Sequence, residues 1–333
     1  MNFLNLKYFC AVVEEMNITK AAEKLHISQQ TLSGQIAKIE QEYGTLLFER
    51  SPRLRLTYAG SRFLEFAQSV TNREKSLIAE FDDINEHRRG SLALGVTPTR
   101  SRVFLPQILP QFTEQYPQIQ LDLCIDSYKL IEKKLIEGSL DLIVSILHED
   151  VSPDMELIDL MQDQFCIAVP SIFFKRYDRQ QPKTIGADTL EHLIHSGFIQ
   201  KIPYITISSQ SQVHRLMKLF FQTYQITPHI LFEARDQELL LNLTLSGIGA
   251  TFVVKSLGLK YLKLNTLVPD KPPFYLIPID LPNSSQRVII GCRKGRYKSW
   301  STNNFITLAR SIFSSRYNEL AYYKTKTFFY NDK

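Results

Sequence analysis

Residues 17–60 read NITKAAEKLHISQQTLSGQIAKIEQEYGTLLFERSPRLRLTYAG, and this stretch decides the architecture of the N-terminal region. Its pattern predicts two short helices joined by a tight turn, then a basic hairpin. The first helix runs from about Ile18 to Leu25, with Asn17 or Thr19 as its cap, because a short side-chain oxygen accepts from the free amides of a first turn. His26 and Ile27 turn the chain. Ser28 is the next cap, a second helix runs from near Gln29 to about Tyr43, and Gly44 stops it. Leu32, Ile36, Ile39 and Tyr43 fall at i, i+4, i+7 and i+11, so they form one apolar stripe.

The other side of that helix carries Gln30, Gly34, Ala37 and Gln41, flanked by Ser33 and Lys38. Amides, hydroxyls and small residues with almost no acid suit the donors and acceptors of a major groove. An ordinary solvated helix face has a similar composition, so the next segment decides. Residues 50–62, RSPRLRLTYAGSR, hold Arg50, Arg53, Arg55 and Arg62 and no acid. Arginines along a short β-ribbon suit phosphates or a minor groove, and a helix-turn-helix followed at once by such a wing is a DNA-binding arrangement. The candidate DNA contacts are Ser28, Gln29, Gln30, Thr31, Ser33, Gly34, Lys38, Arg50, Arg53 and Arg55.

The same residues carry a family resemblance. Leu6, Phe9, Val12, the run Ala21–Gln29, Leu32-Ser33, Gln35-Ile36, Ile39-Glu40, Gly44, the run Leu47–Arg50, Leu56-Thr57 and Ala59-Gly60 resemble the DNA-binding domain of LysR-type transcriptional regulators. The match is nearly continuous over roughly the first 65 residues. Two positions depart from it: the family often has Pro or Ser where Gln30 stands, and commonly a long polar or basic residue where Gly34 stands. A glycine inside a helix costs about 1 kcal/mol relative to alanine. Either the backbone approaches DNA more closely at Gly34, or fewer bases are read.

Ahead of this region, Leu6, Phe9, Val12 and Val13 lie at helical spacing within residues 4–15 and predict a supporting helix. Behind it, one long helix runs from Tyr58 to about His87. Its apolar positions Phe63, Phe66, Val70, Leu77, Phe81 and Ile84 repeat roughly every seven residues, as in a two-stranded coiled coil, so these are the candidate dimerisation residues. The resemblance implies the same, since LysR-type proteins dimerise through this element and assemble further into tetramers. A helix packed on its own domain would show a similar stripe.

A chain of 333 residues suggests two or three domains. Hydrophobic content of 44% with 22% charged residues is ordinary for a globular protein, and the net charge of +5 is mild. Residues 293–333 alone hold nine Lys/Arg against two Asp/Glu, so the rest of the chain is slightly acidic. Cys10, Cys124, Cys166 and Cys292 are scattered, with no CxxC pair or His cluster, which argues against a zinc site or a disulfide framework and fits a reducing cytoplasm. Neither a membrane-spanning apolar run nor a signal-peptide pattern is present, so a membrane partner or a role in solute import is not expected. No nucleophile elbow, Walker loop, dinucleotide fingerprint or HExxH motif calls for an enzyme or a cofactor. A ligand-independent or redox-responsive regulator is the alternative of the same architecture, but Cys124 and Cys166 both fall in segments expected to be buried strands.

After a hinge at 87–91, strands and helices alternate: 92–96, 104–116, 119–125, 127–136 and 140–146, then 165–170, 203–207, 211–224, 229–233, 237–246, 274–279, 287–292 and 303–314. Alternation of this kind predicts an α/β class with a largely parallel sheet. Leu105-Pro106, Phe112, Tyr116-Pro117, the run Glu137–Leu142 and Gly247–Ala250 resemble the effector domain of the family, which is similar to periplasmic binding proteins. The expected organisation is therefore a winged head (1–60), a linker helix and hinge (58–90), a two-lobed regulatory domain (91–315) and a basic aromatic tail (316–333). Lobe 1 spans about 91–162 and 268–315, and lobe 2 about 163–267. Ligands of open α/β lobes sit at the carboxyl ends of strands. There the loop Thr97–Arg102 brings Thr97, Thr99, Arg100 and Arg102, a set able to hold an anion such as a carboxylate, and the second lobe brings Ser208 and Ser209. The resemblance also places effector contacts in the first loop. Helix capping by the Ser and Thr residues, and solvation of the arginines, stand as the plain alternatives.

Overall fold

The computed structural model describes residues 3–51, 53–84, 90–177, 188–208, 211–265 and 274–322. The head is built from α1 (Phe3–Glu15), α2 (Ile18–Lys24), α3 (Gln29–Tyr43) and the two-stranded antiparallel wing β1 (Phe48–Glu49) and β2 (Arg55–Leu56). Asn17 caps α2 by accepting from the Thr19 and Lys20 amides, and Ser28 caps α3 by accepting from the Thr31 amide. His26, at φ +55°, turns the chain between the two helices. Leu32, Ile36 and Ile39 bury the inner stripe of α3 against Leu6, Phe9 and Val12 of α1. Tyr43, expected in that stripe, is half exposed, although its ring meets Phe63 edge-on at 5.3 Å.

Helix α4 (Tyr58–Ile84) leaves the wing and anchors in the head through Phe63 and Ala67. Gly60 sets how closely it can do so, because a Cβ there would lie 2.0 Å from the Leu47 carbonyl oxygen. The expected hinge at 87–91 lies largely outside the described residues.

The rest of the chain forms two lobes. The first has β3 (Gly90–Val96), α5 (Pro98–Gln115), β4 (Ile119–Ile125), α6 (Tyr128–Glu137) and β5 (Leu142–Ile146). Strand β3 runs parallel to both β4 and β5. A sixteen-residue strand, β6 (Met155–Pro170), then passes from one lobe to the other. The second lobe follows with α7 (Ser171–Tyr177), α8 (Asp188–His195), α9 (Phe198–Lys201), β7 (Pro203–Ile207), α10 (Gln212–Thr223), β8 (His229–Ala234), α11 (Gln237–Leu245), β9 (Thr251–Val254), α12 (Lys255–Asn265) and β10 (Phe274–Pro278). Strand β11 (Ser285–Arg293) returns to the first lobe, and α13 (Trp300–Tyr322) closes it. The expected largely parallel sheet is not found: β5–β11, β11–β6, β6–β9 and β6–β10 all pair antiparallel, because the long β6 and the returning β11 run against the strands of the βαβ units. Residues 323–333 of the expected tail lie outside the described residues.

Pairing along β6 locates the division between the lobes. Residues 155–164 pair with β11, whereas residues 165–170 pair with β9 and β10. Phe274 and Ile277 of β10 are buried with the second-lobe core, beside Phe173 and Phe198. The expected return to the first lobe at about residue 268 therefore moves to β11, since β10 needs the edge of β6 beyond Phe165 to satisfy its backbone.

A buried charge pair sits where β6 changes lobes. Arg100, in the first turn of α5, donates from Nη1 to Asp163 Oδ2 at 2.6 Å, and both side chains are at most 3% exposed. Asp163 also accepts from the Ser256 amide and hydroxyl at the start of α12. One carboxylate thus joins lobe 1, the shared strand and lobe 2. Removing one member of a buried pair leaves the other charged and unsolvated, which costs about 3–5 kcal/mol. Asp163→Ala is expected to lower the unfolding free energy, extrapolated to water from chemical denaturation, by that amount, and an unchanged free energy would mean that Arg100 finds water or a new partner.

Candidate functional site

Two regions of the structure carry the sequence-derived candidates. The first is the outer surface of the head. Gln29, Gln30, Thr31, Gly34, Ala37 and Lys38 of α3 are exposed together, with Ser28 at the cap and Ser33 partly covered. The face contains no acidic side chain between Gln29 and Lys38. The wing is held by a carboxylate, Glu40, that the family resemblance included without assigning it a role. Glu40, 6% exposed on α3, accepts from the Leu47 and Phe48 amides through Oε1 (2.9 and 3.2 Å) and takes Arg50 Nη2 on Oε2 at 3.1 Å. Arg50 is therefore first a structural strut for the wing. Arg53 and Arg55 project as exposed cations. An acid in a polar helix, followed by an arginine ten residues on, gives no recognisable spacing signal. Only the fold over 40–50 makes the pair.

Gly34 belongs to that exposed face. A Cβ built there meets nothing within 4 Å, in contrast to Gly60. The fold of the chain thus has no use for a glycine at this position. Gly34→Ala is expected to stabilise the head by about 1 kcal/mol. Slower hydrogen exchange of the Leu32 and Ile36 amides reads that gain; faster exchange would show that the glycine serves the helix after all.

The second region is the cleft between lobes. By topology, the amino ends of α5 and α6 stand at the carboxyl edge of the first-lobe strands, and those of α10 and α11 stand at the same edge of β7 and β8. Helix α5 begins six residues earlier than its apolar pattern suggested, because Pro98 presets the first helical turn. Thr99, Arg100 and Arg102 consequently lie in a helix rather than in a loop. Thr97 sits at the N-cap without making a side-chain cap bond, and it and Thr99 are partly exposed.

Both arginines are engaged by carboxylates, Arg100 fully buried and Arg102 about a third exposed. Arg100 is sealed against Asp163. Arg102 reaches across the cleft, with Nε 3.0 Å from Glu238 and Nη2 3.8 Å from Asp236 at the start of α11, and Lys260 lies 3.5 Å from the same Glu238. Ser208 is partly buried, its amide bonded to the Ala234 carbonyl, and Ser209 lies outside the described residues. Ser211 is a cap, accepting from the His214 amide. His214 is buried, its Nδ1 donating to the Ile207 carbonyl oxygen at 2.9 Å. On the first-lobe side, His148 stacks on Tyr128 with centroids 3.8 Å apart. Burial holds the His148 imidazole below its ordinary pKa, against the opposing pull of Asp150 and Glu132.

The cysteines divide differently from expectation. Cys166 and Cys292 are buried, and burial pushes their thiols up to about 12 and about 11. Cys124 is only partly buried, because β4 is an edge strand with much of its length exposed, and its Sγ lies 3.2 Å from Lys134 Nζ. On α4, Phe63 is a head core residue rather than a contact for a second chain, and Val70 packs against the same core. Phe66, Leu77 and Phe81 are exposed, and Ile78, not anticipated, joins them. The Ile84 side chain lies outside the described residues. Among the described residues, no helix is long and apolar enough to cross a membrane.

Comparison with known proteins agrees with both regions. Residues 3–61 match the family model for bacterial regulatory helix-turn-helix proteins of the lysR family, and residues 85–314 match the LysR substrate binding domain. A probable RuBisCO transcriptional regulator of Thalassiosira pseudonana is 29% identical over 270 residues, covering 79% of this chain and 84% of the relative. The Bacillus subtilis regulator AlsR is 28% identical over 261 residues, covering 77% and 81%. Among solved structures, full-length CbnR in complex with its target DNA shares the fold with a TM-score of 0.62 at 22% identity, over 94% of this chain and 100% of that one. A full-length OxyR variant from Pseudomonas aeruginosa gives 0.64 at 21%, over 94% of each. With a helix-turn-helix head and a two-lobed α/β effector domain both matched, the chain belongs to the LysR family of DNA-binding transcriptional regulators.

Proposed function

We propose that this regulator reads duplex DNA with the outer face of α3, grips the backbone with Arg53 and Arg55 of the wing, and answers to a small molecule held between its lobes. The observation that carries the reading is the acid-free exposed face Gln29–Lys38 set beside two exposed wing cations on one head. Ser28, Gln29, Gln30, Thr31 and Ser33 supply hydroxyls and amides for base edges or phosphates, and Lys38 supplies charge. Each arginine that neutralises one phosphate contributes close to one unit to the salt dependence of binding. With duplexes selected by the protein from a randomised pool, Arg53→Ala and Arg55→Ala are each expected to lower the slope of log K against log salt by about one. Arg50→Ala should also unsettle the wing, since it strips Glu40 of its counter-ion. Slopes unchanged by both wing variants would place the wing away from DNA.

In the cleft, an anionic effector such as a carboxylate would be received by the Thr97 and Thr99 hydroxyls and the free amides of α5 rather than by guanidinium groups, since Arg100 and Arg102 are committed to carboxylates. A ligand shifts the arrangement of the lobes only through its differential affinity for the two states. The locale of such a protein is the cytoplasm.

The same reading makes the protein a homodimer, with dimers pairing into tetramers. Phe66, Leu77, Ile78 and Phe81 leave an apolar stripe on α4 that the described residues of this chain do not cover. A second copy of α4 covers it at coiled-coil spacing. Leu77→Asp with Phe81→Asp is expected to reduce the sedimenting species by half or more in mass at micromolar concentration. Retention of the wild-type mass would move the dimer contact elsewhere.

A further inference from the structure

Helix α4 is joined to the first lobe by more than the chain that follows it. Asn72, on a helix whose apolar stripe is exposed, is itself only 9% exposed. Its Nδ2 donates to the Glu137 carbonyl at 2.9 Å and to Ser139 Oγ at 3.3 Å, at the carboxyl end of α6. That end needs donors, because the last carbonyls of a helix have no partner within it. The Gly138 and Ser139 amides turn back to Leu135 and Lys134, and Arg296 Nη1 takes the Gly138 carbonyl at 3.1 Å. Glu137 is left to Asn72, so a residue of the linker helix completes the cap of a helix in the effector lobe. Asparagine is a mediocre helix residue, and the contact with the α6 end gives a physical reason for its place.

Helix α6 is a rod of about 15 Å. Its amino end lies at the cleft, where Tyr128 stacks on His148, and its carboxyl end holds Asn72. Tyr128, Ile131 and Leu135 lock it to the first-lobe sheet. On the other side, Phe63, Ala67 and Val70 fix α4 in the head, and Lys7 of α1 reaches Glu74 at 3.1 Å. Asn72 stands about 120° around α4 from Phe66, so the lobe and a second copy of α4 occupy different faces.

We propose that Asn72 is the positioning residue through which the effector lobe sets the placement of the DNA-binding head: a shift of α6 at the cleft moves the head by way of the Asn72–Glu137 bond. The inference rests on the reading of the chain as an effector-controlled DNA-binding protein. It predicts that head placement depends on Asn72 while the fold of the head does not.

Spin labels at Glu23→Cys in the head and Glu114→Cys in the first lobe, with Cys10 and Cys124 changed to alanine and labelled chains diluted into unlabelled ones, report the head-to-lobe distance without DNA. Asn72→Ala and Asn72→Asp, which both lose the donor, are expected to broaden that distribution about twofold. Thr71→Ala, whose hydroxyl bonds to carbonyls of its own helix, should leave it as in the wild type. On duplexes selected by the wild type, both Asn72 variants should bind within about threefold of wild-type affinity but bend the DNA to a different angle, read by energy transfer between the duplex ends. An unchanged distance distribution overturns the proposal. So does a broadened distribution with wild-type bending, because the contact would then be structural alone. If the wild type selects no duplex, the DNA-binding reading itself fails, and the distance measurement still decides whether Asn72 sets the head.

Discussion

Asp163 is a carboxylate almost without access to water, and the two lobes depend on it. It lies on the one strand that both lobes share and is paired with Arg100 from the first lobe and Ser256 from the second. A buried charge is tolerated only when partners replace its hydration, so the side chains around it are held within hydrogen-bond geometry. This fixes the amino end of α5 relative to α12. Around that fixed point the carboxyl edges of both lobes face each other, with Arg102 reaching over to Glu238.

The head uses the same device on a smaller scale. Glu40 is buried under the wing, where two backbone amides and Arg50 replace its water. In both places a buried carboxylate gathers donors from other segments, seven to ten residues away in the head and 63 and 93 residues away between the lobes, beside a surface proposed to carry function. The wing presents its remaining arginines because Arg50 is engaged in structure. The cleft presents hydroxyls and amides because both of its arginines are engaged. Charge that the sequence displays as a cluster is therefore divided by the fold into cations that hold the molecule together and cations left to meet a partner.

The linker helix joins these two parts in two ways. It leads covalently into the first lobe, and it is also held to that lobe through Asn72, within the stretch from Phe63 to Glu74 that contacts the head. A helix held by the head and by the lobe over the same few turns ties the placement of one to the other, as the proposed control of the head by the cleft requires.

The helix-turn-helix was legible from sequence because its determinants are local: the Asn17 and Ser28 caps, the Leu32–Ile36–Ile39 stripe and the stop at Gly44 act within a few residues of each other. Most strands and helices of the lobes were legible for the same reason, as was membership of the family. The ends of elements moved where a local signal competed with the pattern, as Pro98 did in starting α5 early. What only the tertiary structure decided was partnership. Whether Arg100 is a ligand or a buried strut depends on Asp163, 63 residues away. Whether Phe63 meets a second chain or the head core depends on Phe9, whose ring lies 4.8 Å from it. The lobe to which β10 belongs depends on which half of β6 has a free edge. Periodicity encodes which side of an element is buried, but it carries no record of what buries it, because that is set by long-range packing rather than by any neighbour in sequence.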